Sequence, residues 1–441
     1  MWTKKSVLVV SGAVAILVAS LIFRSFQLLT VALMVFSAAA ISIFLTRQAV
    51  LVPKRELSNE KIFEDGSTTC ELTLYNEGAL RTGLLEVRDR IPEELQIVKG
   101  SNYTYVNLKK GDNAKIKYTV KAHVKGLYNI GPVTIRTYDP FSFFYKEQYL
   151  EDTHNLTVYP MTMDLKNVAI RSKQPKVYPG ETKVKQPGTG SEFFAIREYV
   201  PGDPFKDINW KATARKRKHL VNEHERESVS DITIVLDARE ESSFGTFKHN
   251  SHVYSSRVAG TLANFFLKRR DSVGIVIYGD KVMSIKKGGG NKQFYEILTA
   301  ISSSNPGGHI PLGGIVEEVL PYMPRKTPVI ILSSLDEDDT LRKAVSTMMV
   351  LEFDVMVISP ESIQFELMAK EEEKKKIEAG GKKKKKAGLF KGSEEVDPVA
   401  YDVLKLERDI TLQEMRSYGA RVVSWDPKIP ALQMLMEVNN T

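Results

Sequence analysis

Asp231-Ile-Thr-Ile-Val-Leu-Asp237 is the stretch that decides the fold of the carboxyl-terminal half of this chain. Its interior is β-branched or apolar at every position, without the alternation that marks a strand with one solvated face. Such a run is typical of a strand buried on both faces of a parallel sheet. Residues 272–278, 327–332 and 353–359 repeat the pattern, and 421–424 is a shorter copy. The sequence therefore predicts one sheet built from these strands.

The segments between these strands have the apolar spacing of helices. They comprise 253–267, 294–301, 315–322, 341–349 and 403–418. Strands that alternate with helices indicate a doubly wound α/β domain, which we place at 191–441. Within it, 361–400 is rich in Lys and Glu and has no apolar period, so we predict a charged, disordered insert there.

The region before this domain has an apolar period of two. Thr69-Cys-Glu-Leu-Thr-Leu-Tyr75 alternates between polar and apolar residues, and so does 114–122. Short strands separated by turn residues predict an immunoglobulin-type β-sandwich at 48–160, followed by a linker at 161–190. Cys70, the only cysteine of the chain, lies on such a strand, where we expect a packed apolar residue and not a nucleophile.

The first 47 residues differ in composition from the rest. Residues 6–23 and 25–46 carry no charge, and only Arg24 separates them. As helices they would be ~27 and ~33 Å long, and a hydrocarbon core is ~30 Å thick. We predict two transmembrane helices at 1–47. The alternative is a secretory signal peptide, against which the immediate second apolar run argues.

The basic residues that flank these two runs predict the orientation. Lys4 and Lys5 precede the first run, and Arg47, Lys54 and Arg55 follow the second. The positive-inside rule then predicts a multi-pass protein of the cell membrane, with its soluble domains in the cytoplasm.

Bulk charge and motifs exclude several classes of function. The chain has 62 Lys and Arg against 54 Asp and Glu, a net charge of +8. Half of that excess lies in residues 370–395, so total charge gives no argument for nucleic-acid binding. No phosphate-binding loop, His-Glu-x-x-His or Gly-x-Ser-x-Gly motif occurs, and we expect no enzymatic activity.

Ser191-Glu-Phe-Phe-Ala-Ile-Arg-Glu-Tyr-Val-Pro-Gly-Asp-Pro-Phe-Lys-Asp-Ile-Asn-Trp-Lys-Ala-Thr-Ala-Arg215 resembles the signature of the domain of unknown function 58 family. Lys125-Gly-Leu-Tyr-Asn-Ile-Gly-Pro132 and Asp139-Pro-Phe141 are similar to the β-domain of that family. The resemblance implies a von Willebrand factor A-like fold at 191–441 and a working relation with a MoxR-type AAA+ ATPase. The signature residues are Arg197, Glu198, Tyr199, Pro201, Gly202, Asp203, Asn209, Trp210, Lys211 and Arg215.

The signature also has a local interpretation. Residues 199–204 read as a turn, because Pro fixes φ and Gly permits a tight corner. We expect Asp207 to cap a helix at 208–215, with Trp210 packed against the sheet. The run from Lys211 to Lys218 is strongly basic and predicts a charged face for an acidic protein, lipid headgroups or nucleic acid.

The resemblance further implies where a metal-ion-dependent adhesion site would lie. Its first element is Asp-x-Ser-x-Ser, but here Asp237 is followed by Arg239 and Glu241. His309 lies in a loop without the expected Thr, and Ser334 stands where an Asp is expected. Because Mg²⁺ needs oxygen ligands and Arg supplies none, we expect no Mg²⁺ and no other cofactor.

These observations predict a membrane-tethered, non-enzymatic interaction scaffold. We expect the loops of the degenerate metal site to bind a protein, with Arg239 as the anchor, although Arg239 has a second interpretation as an internal partner of Asp237 or Asp336. Two alternatives remain: a module that binds polyanions or lipid headgroups through its Lys and Arg clusters, and a metal-dependent adhesion protein. The predicted partner-binding residues are Asp237, Arg239, Glu241, His309, Ser334 and Asp336.

Overall fold

The computed structural model describes residues 2–45, 48–165, 179–228, 231–319, 327–335, 339–378, 398–431 and 433–434. The chain divides into two compact units, Met1–Val158 and Tyr159–Thr441. The first holds two apolar helices and a β-rich region, and the second holds the α/β domain, in the order that the sequence predicts.

The first unit begins with helices α1 (Lys4–Ile22) and α2 (Phe26–Leu45). Thr3 caps α1, because its hydroxyl accepts a hydrogen bond from the Ser6 amide at 3.2 Å. Arg24 lies in the turn between them with a φ of 47°. Both helices are long and apolar enough to cross a membrane. Their buried apolar residues are small alanines, which let two helices approach closely.

The β-rich region has eleven strands among the described residues, paired in antiparallel fashion in three sheets. The sheet orders are β1-β3-β7-β5, β10-β9-β4-β6 and β2-β11-β8. The strands are β1 (Leu51–Leu57), β2 (Lys61–Phe63), β3 (Ser67–Asn76), β4 (Leu84–Asp89), β5 (Leu95–Gly100), β6 (Tyr103–Val106), β7 (Asn113–Ala122), β8 (Gly126–Ile130), β9 (Val133–Tyr138), β10 (Tyr145–Leu150) and β11 (His154–Tyr159).

Alternating residues of these strands form one apolar core. In β3, Cys70, Leu72 and Leu74 point inward and are fully buried. The expectation that Cys70 is a packed apolar residue is confirmed. Burial also raises the pKa of its thiol to about 11, which suppresses the reactive thiolate.

A buried ion pair lies inside this apolar core. The Arg55 guanidinium on β1 donates to the Asp89 carboxylate on β4 at 2.7 Å, and neither side chain is exposed. The Tyr118 hydroxyl donates to the same carboxylate at 2.7 Å. Burial raises the pKa of Asp89, and the Arg55 charge opposes that effect. Arg55, which the sequence suggests as a cation flanking the second membrane run, is therefore an interior residue of the folded domain.

Lys125, in the loop before β8, is a second buried charge. Its backbone amide donates to the Glu64 carboxylate at 2.9 Å, and Glu64 is also buried. Burial lowers the pKa of Lys125 from 10.5 to about 7, against the opposing effect of Glu64. Between these two pH values, the unfolded chain holds a proton at Lys125 that the folded chain has released. Raising the pH therefore stabilises the folded state in that window.

We expect the free energy of unfolding of the β-sandwich to rise from pH 7 to about 9, by at most ~1.4 kcal/mol per pH unit. Above about pH 9 the folded Cys70 thiol stays protonated while the unfolded one ionises, which offsets the contribution of Lys125 and flattens the slope. The measurement is the rate of Cys70 labelling in the full chain, corrected for the reactivity of the denatured chain. Lys125→Met should flatten the rise, whereas Lys110→Met, at an exposed position, should leave it intact. An unchanged slope in Lys125→Met would contradict this assignment.

The second unit starts with a long hairpin of two strands, β12 (Pro179–Glu198) and β13 (Leu220–Ser228). A short 3₁₀ turn (Phe205–Asp207) and helix α3 (Trp210–Lys216) lie in the loop that joins them. The predicted linker at 161–190 is thus wrong from Pro179 onward, because that segment pairs with β13. Near the start of the predicted linker, Leu165 packs in the core of the α/β domain.

The six-stranded sheet has the order β16-β15-β14-β17-β18-β19, and its strands are parallel apart from β16. The strands are β14 (Asp231–Asp237), β15 (Ser272–Tyr278), β16 (Met283–Gly288), β17 (Pro328–Leu332), β18 (Asp354–Pro360) and β19 (Arg421–Trp425). The helices are α4 (Ser251–Lys268), α5 (Gly290–Ser303), α6 (Leu312–Val319), α7 (Asp339–Val350), α8 (Ser362–Glu378) and α9 (Pro398–Ser417).

Helices cover both faces of this sheet. Ile232, Ile234 and Leu236 of β14 pack in a core with residues of α4 and α5. Val235, between them, faces a second core with residues of α6, α7 and α9. The doubly wound arrangement predicted from the sequence is therefore present, since successive strand residues point to opposite faces.

The predicted disordered insert at 361–400 is wrong in its first part. Residues 362–378 form α8, and α9 begins at Pro398; residues 379–397 lie outside the described residues. Phe365 of α8 is fully buried and contacts Tyr254 edge-on, with ring centroids 5.0 Å apart. This contact packs the first turn of α8 against α4, although the remaining sequence of α8 is mostly charged.

Candidate functional site

The chain reverses direction through the sheet between β14 and β17. Strands are added on one side of β14 as far as β16, and the next strand, β17, lies on its other side. Ligands of open α/β sheets bind outside the carboxyl ends of the strands at such a switch point. Asp237 ends β14 here and Ser333 follows β17, and the Ser333 hydroxyl donates to the Asp237 carboxylate at 2.7 Å. We call the loops at these strand ends the carboxyl edge.

Arg239 fills this switch point from within the chain. Its Nε and Nη2 donate to the two oxygens of Asp237 at 3.1 and 2.8 Å. The guanidinium also lies over the Tyr278 ring, 5.6 Å from the centroid, and within 3.6 Å of the Glu241 carboxylate. Only 4% of the Arg239 side chain is exposed. The interpretation as an internal partner of Asp237 is thus the one that the structure shows.

The burial of Arg239 overturns its predicted role as the anchor for a partner. Its guanidinium is hydrogen-bonded to Asp237 and is buried under the surrounding loops. Another protein therefore cannot reach it unless the carboxyl edge opens. Asp237 and Ser334 are buried as well. Asp336 lies outside the described residues.

A divalent cation does not fit this arrangement. The guanidinium of Arg239 occupies both oxygens of Asp237, and a positive group beside the site opposes a second cation. Glu241 and His309 pair with each other at 2.9 Å, at the exposed outer side of the loops. Among the described residues, no group of three or more His, Cys, Asp or Glu is arranged to hold a metal.

A second buried arginine, Arg408 of α9, lies at the carboxyl edge where β18 ends. Its Nη1 donates to the Ser334 carbonyl at 2.9 Å and to the Pro360 carbonyl at 3.1 Å. Its Nη2 donates to the Ser359 carbonyl at 2.9 Å. Arg408 therefore satisfies the last carbonyls of β18 and the loop after β17. Sequence reasoning missed it, because α9 shows only helical spacing and nothing marks one of its arginines as interior.

Backbone hydrogen bonds join the outer loops of the edge. Gly307 donates to the Ala238 carbonyl at 2.9 Å, and Glu240 donates to the Gly308 carbonyl at 3.2 Å. Gly308 has a φ of 71°, and a Cβ there would lie 2.3 Å from the Asp280 Cα, so only glycine permits this close approach. These contacts present a fixed rim on which Glu241, Phe247, Asp280 and His309 are exposed.

The signature residues lie at the end of the β12–β13 hairpin. Arg197 donates to both oxygens of Asp203 at 2.6 and 2.7 Å, and its Nε donates to Glu223 at 2.7 Å. These hydrogen bonds from Arg197 lower the pKa of Asp203 to about 2. Gly202 has a φ of 111°, so the turn predicted here is confirmed. Glu198 pairs with Lys218 at 2.8 Å.

Two details of the signature differ from the sequence prediction. Asn209 caps α3 in place of Asp207, since its Oδ1 accepts from the Ala212 amide at 2.9 Å. Trp210 is 64% exposed and does not pack against the sheet. The reason is local, because Ile208 is the residue that turns inward, with an isolated bridge to Val221.

Comparison with known proteins bears on the stretch that contains both the signature and the switch point. Residues 195–359 match the family described as "Protein of unknown function DUF58". This stretch is similar to that family. The match begins at the end of β12 and ends in β18, so it agrees with the resemblance seen in the signature.

A curated relative and several solved structures are similar to parts of the chain. "Uncharacterized protein YeaD" of Bacillus subtilis (strain 168) is 22% identical over 263 residues, which are 58% of this chain and 64% of that protein. This chain thus spans less than two thirds of that relative. The conserved hypothetical protein BatB from Bacteroides thetaiotaomicron is 10% identical, covering 48% of this chain and all of that one, with a TM-score of 0.31. The CARDB domain of PF1109 from Pyrococcus furiosus is 13% identical, covering 26% and 90%, with a TM-score of 0.19. Scores this low carry no functional argument.

Proposed function

We propose that this protein is a non-enzymatic adaptor, held in the cell membrane by α1 and α2, whose α/β domain binds a partner protein at its carboxyl edge. The membrane placement is supported by the length and apolar composition of the two helices. Cytoplasmic soluble domains are supported by Lys4 and Lys5 at the start of α1 and by the exposed Lys54 after α2; Arg47 lies outside the described residues.

The observation that carries the proposal is the closure of the carboxyl edge by Arg239 and Arg408. A pocket for a metal or a small ligand belongs at this position in an α/β sheet. Here the chain's own guanidinium groups occupy it, while the rim outside presents acidic and aromatic side chains on joined loops. A fixed, mixed polar and aromatic rim suits recognition of another protein surface.

The rim suggests what that partner looks like. Glu240, Glu241 and Asp280 give it negative charge, the exposed Lys248 and Lys281 on the same loops give it positive charge, and Phe247 is 52% exposed. A partner surface with charges of both signs around an apolar pocket would complement it. We propose that the partner is a MoxR-type AAA+ ATPase and that the α/β domain is of the von Willebrand factor A type, with its metal replaced by Arg239. The resemblance of the signature supports both statements.

Co-purification tests the proposal. Tagged full-length protein, extracted in detergent, should retain the ATPase, and more of it with a non-hydrolysable ATP analogue than without. Glu241→Arg and Phe247→Ala should each weaken binding at least about tenfold, as for central interface residues. Glu296→Arg, a matched charge reversal on the exposed side of α5, should bind normally.

Two outcomes would count against the proposal. Normal binding by both rim variants would place the partner elsewhere on the chain. Failure of the wild-type chain to retain any MoxR-type ATPase, with nucleotide present, would remove that partner altogether.

A further inference from the structure

The loop that joins β12 to β13, residues 199–219, forms a distinct surface that we call the hairpin tip. Its base is closed by two backbone hydrogen bonds, from Tyr199 to the His219 carbonyl at 2.9 Å and from Asn209 to the Leu220 carbonyl at 2.8 Å. Three large apolar side chains of the tip are exposed: Val200 by 56%, Phe205 by 74% and Trp210 by 64%. Large apolar side chains gathered on one exposed segment mark an interaction site more often than scattered single ones do.

The exposure of these side chains is built into the fold of the tip. Ile208 is buried against β13 and Asn209 caps α3, so the next residue, Trp210, points outward. The Thr213 hydroxyl accepts from the Leu220 amide at 3.0 Å and ties α3 to the base. Arg217 ends the helix in the left-handed conformation with a φ of 54°. The chain therefore holds Trp210 away from its own core.

Basic residues surround the exposed aromatics. The tip contains six Lys or Arg and two acidic residues, and one of those acids, Asp203, is already paired with Arg197 at the base. Lys218 is likewise paired with Glu198. Lys206, Lys211, Arg215 and Arg217 are exposed and form no ion pair within the described part of the chain. The tip thus presents uncompensated positive charge together with Trp and Phe.

We propose that the hairpin tip binds the anionic surface of the membrane, with Trp210 and Phe205 in the interfacial layer and the basic side chains on lipid phosphates. Tryptophan with flanking lysine and arginine is the composition of interfacial membrane contacts, and anionic headgroups complement the charge. The inference rests on the proposed membrane tether, because an anchored chain meets the lipid surface at high effective concentration. An acidic protein would offer the same charge complement, and it is the competing occupant in the test.

The test uses the fluorescence of Trp210 in the full chain, reconstituted into vesicles. The chain has three tryptophans; Trp2→Phe removes one, and Trp425 is 3% exposed and serves as an internal reference. Vesicles of phosphatidylcholine, with and without phosphatidylserine, carry a brominated lipid as quencher. Subtraction of the Trp2→Phe/Trp210→Phe double variant isolates the signal of Trp210.

We expect the lipid quencher to lower Trp210 emission at least about twofold in vesicles that contain phosphatidylserine. Quenching should be weaker in vesicles of phosphatidylcholine alone, and high salt should weaken it in the phosphatidylserine vesicles. The triple variant Lys206→Gln/Lys211→Gln/Arg215→Gln should lose this quenching. The matched triple variant Lys281→Gln/Lys286→Gln/Lys292→Gln removes equal charge from other exposed positions and should retain it.

Equal quenching of Trp210 by aqueous acrylamide in both vesicle types, with none from the brominated lipid, would overturn the inference. So would shielding of Trp210 that occurs only when the ATPase is added, which would assign the tip to a protein. The lipid measurement needs no partner protein. Its result can therefore be interpreted even if co-purification shows no binding at the carboxyl edge.

Discussion

Replacing Asp89 by alanine is expected to lower the free energy of unfolding of the β-sandwich by ~3–5 kcal/mol, because it leaves the buried Arg55 guanidinium without its counter-charge. The Tyr118 hydroxyl loses its acceptor in the same step. Cys70 reports the opening of this domain, since it is the only cysteine and is fully buried. Its rate of labelling in the full chain should rise at least about a hundredfold, as that free energy corresponds to ~10²–10⁴ in the equilibrium.

Two controls separate the buried pair from a surface effect. Glu71→Ala removes a partly exposed partner of Lys115 and should change the labelling rate far less. Arg55→Met/Asp89→Leu replaces both charges by apolar groups and should recover most of the lost stability. If Asp89→Ala labels as slowly as the wild type, the pair is not buried in the protein.

Arg239→Ala should destabilise the α/β domain by a comparable ~3–5 kcal/mol, since Asp237 then keeps a buried carboxylate without a cation. Trp425 fluorescence during urea unfolding measures this in the Trp2→Phe/Trp210→Phe background, because Trp425 packs in the core of that domain. Lys281→Ala, at an exposed position beside the edge, should unfold like the parent chain.

The same measurement tests the expected absence of metal. A cation bound only by the folded state would add ~2.7 kcal/mol at a hundred times its Kd. We expect millimolar Mg²⁺ to give no saturable increase in the parent chain, because Arg239 already holds both oxygens of Asp237. A saturable increase that Asp237→Ala abolishes would show that the pair opens to admit a metal. A loss below ~1 kcal/mol in Arg239→Ala would show that the pair contributes little to stability.

The sheet of the second unit is predictable from the sequence because strand burial is a local signal. Residues 231–237 and 272–278 are strands over the ranges that their apolar runs predict. Cys70 is likewise buried where the period of two places it. The predictions of a linker from Pro179 onward and of disorder at 362–378 are wrong for a common reason. β12 is held by its long pairing with β13, and α8 by the contact of Phe365 with Tyr254. Neither interaction leaves a periodic pattern in the sequence.

The candidate site was predictable only in part. The expectation that no metal binds rests on Arg239 and Glu241 themselves, so it is made from the sequence alone and stays a prediction. The burial of Arg239 is not visible there, because charged residues are expected at the surface and pairing decides the exceptions. Arg408 reaches the edge from α9, over 70 residues along the chain from Ser334, and such a long-range contact has no local signature. The prediction for Trp210 is wrong in the opposite sense. A large aromatic side chain is expected inside the protein, but the first turn of α3 holds Trp210 outside.

The polar contacts along the carboxyl edge have a mechanical consequence. Ser333 ties the end of β17 to Asp237 at the end of β14, and Arg408 ties the loop after β17 to the end of β18. A force applied to the loop after β14 would therefore load three neighbouring strands together. A close-packed interior transmits strain. The force would therefore be distributed over these strands and would not separate a single strand from the sheet. The carboxyl edge is therefore held across three strands by side-chain hydrogen bonds as well as by the backbone pairing of the sheet.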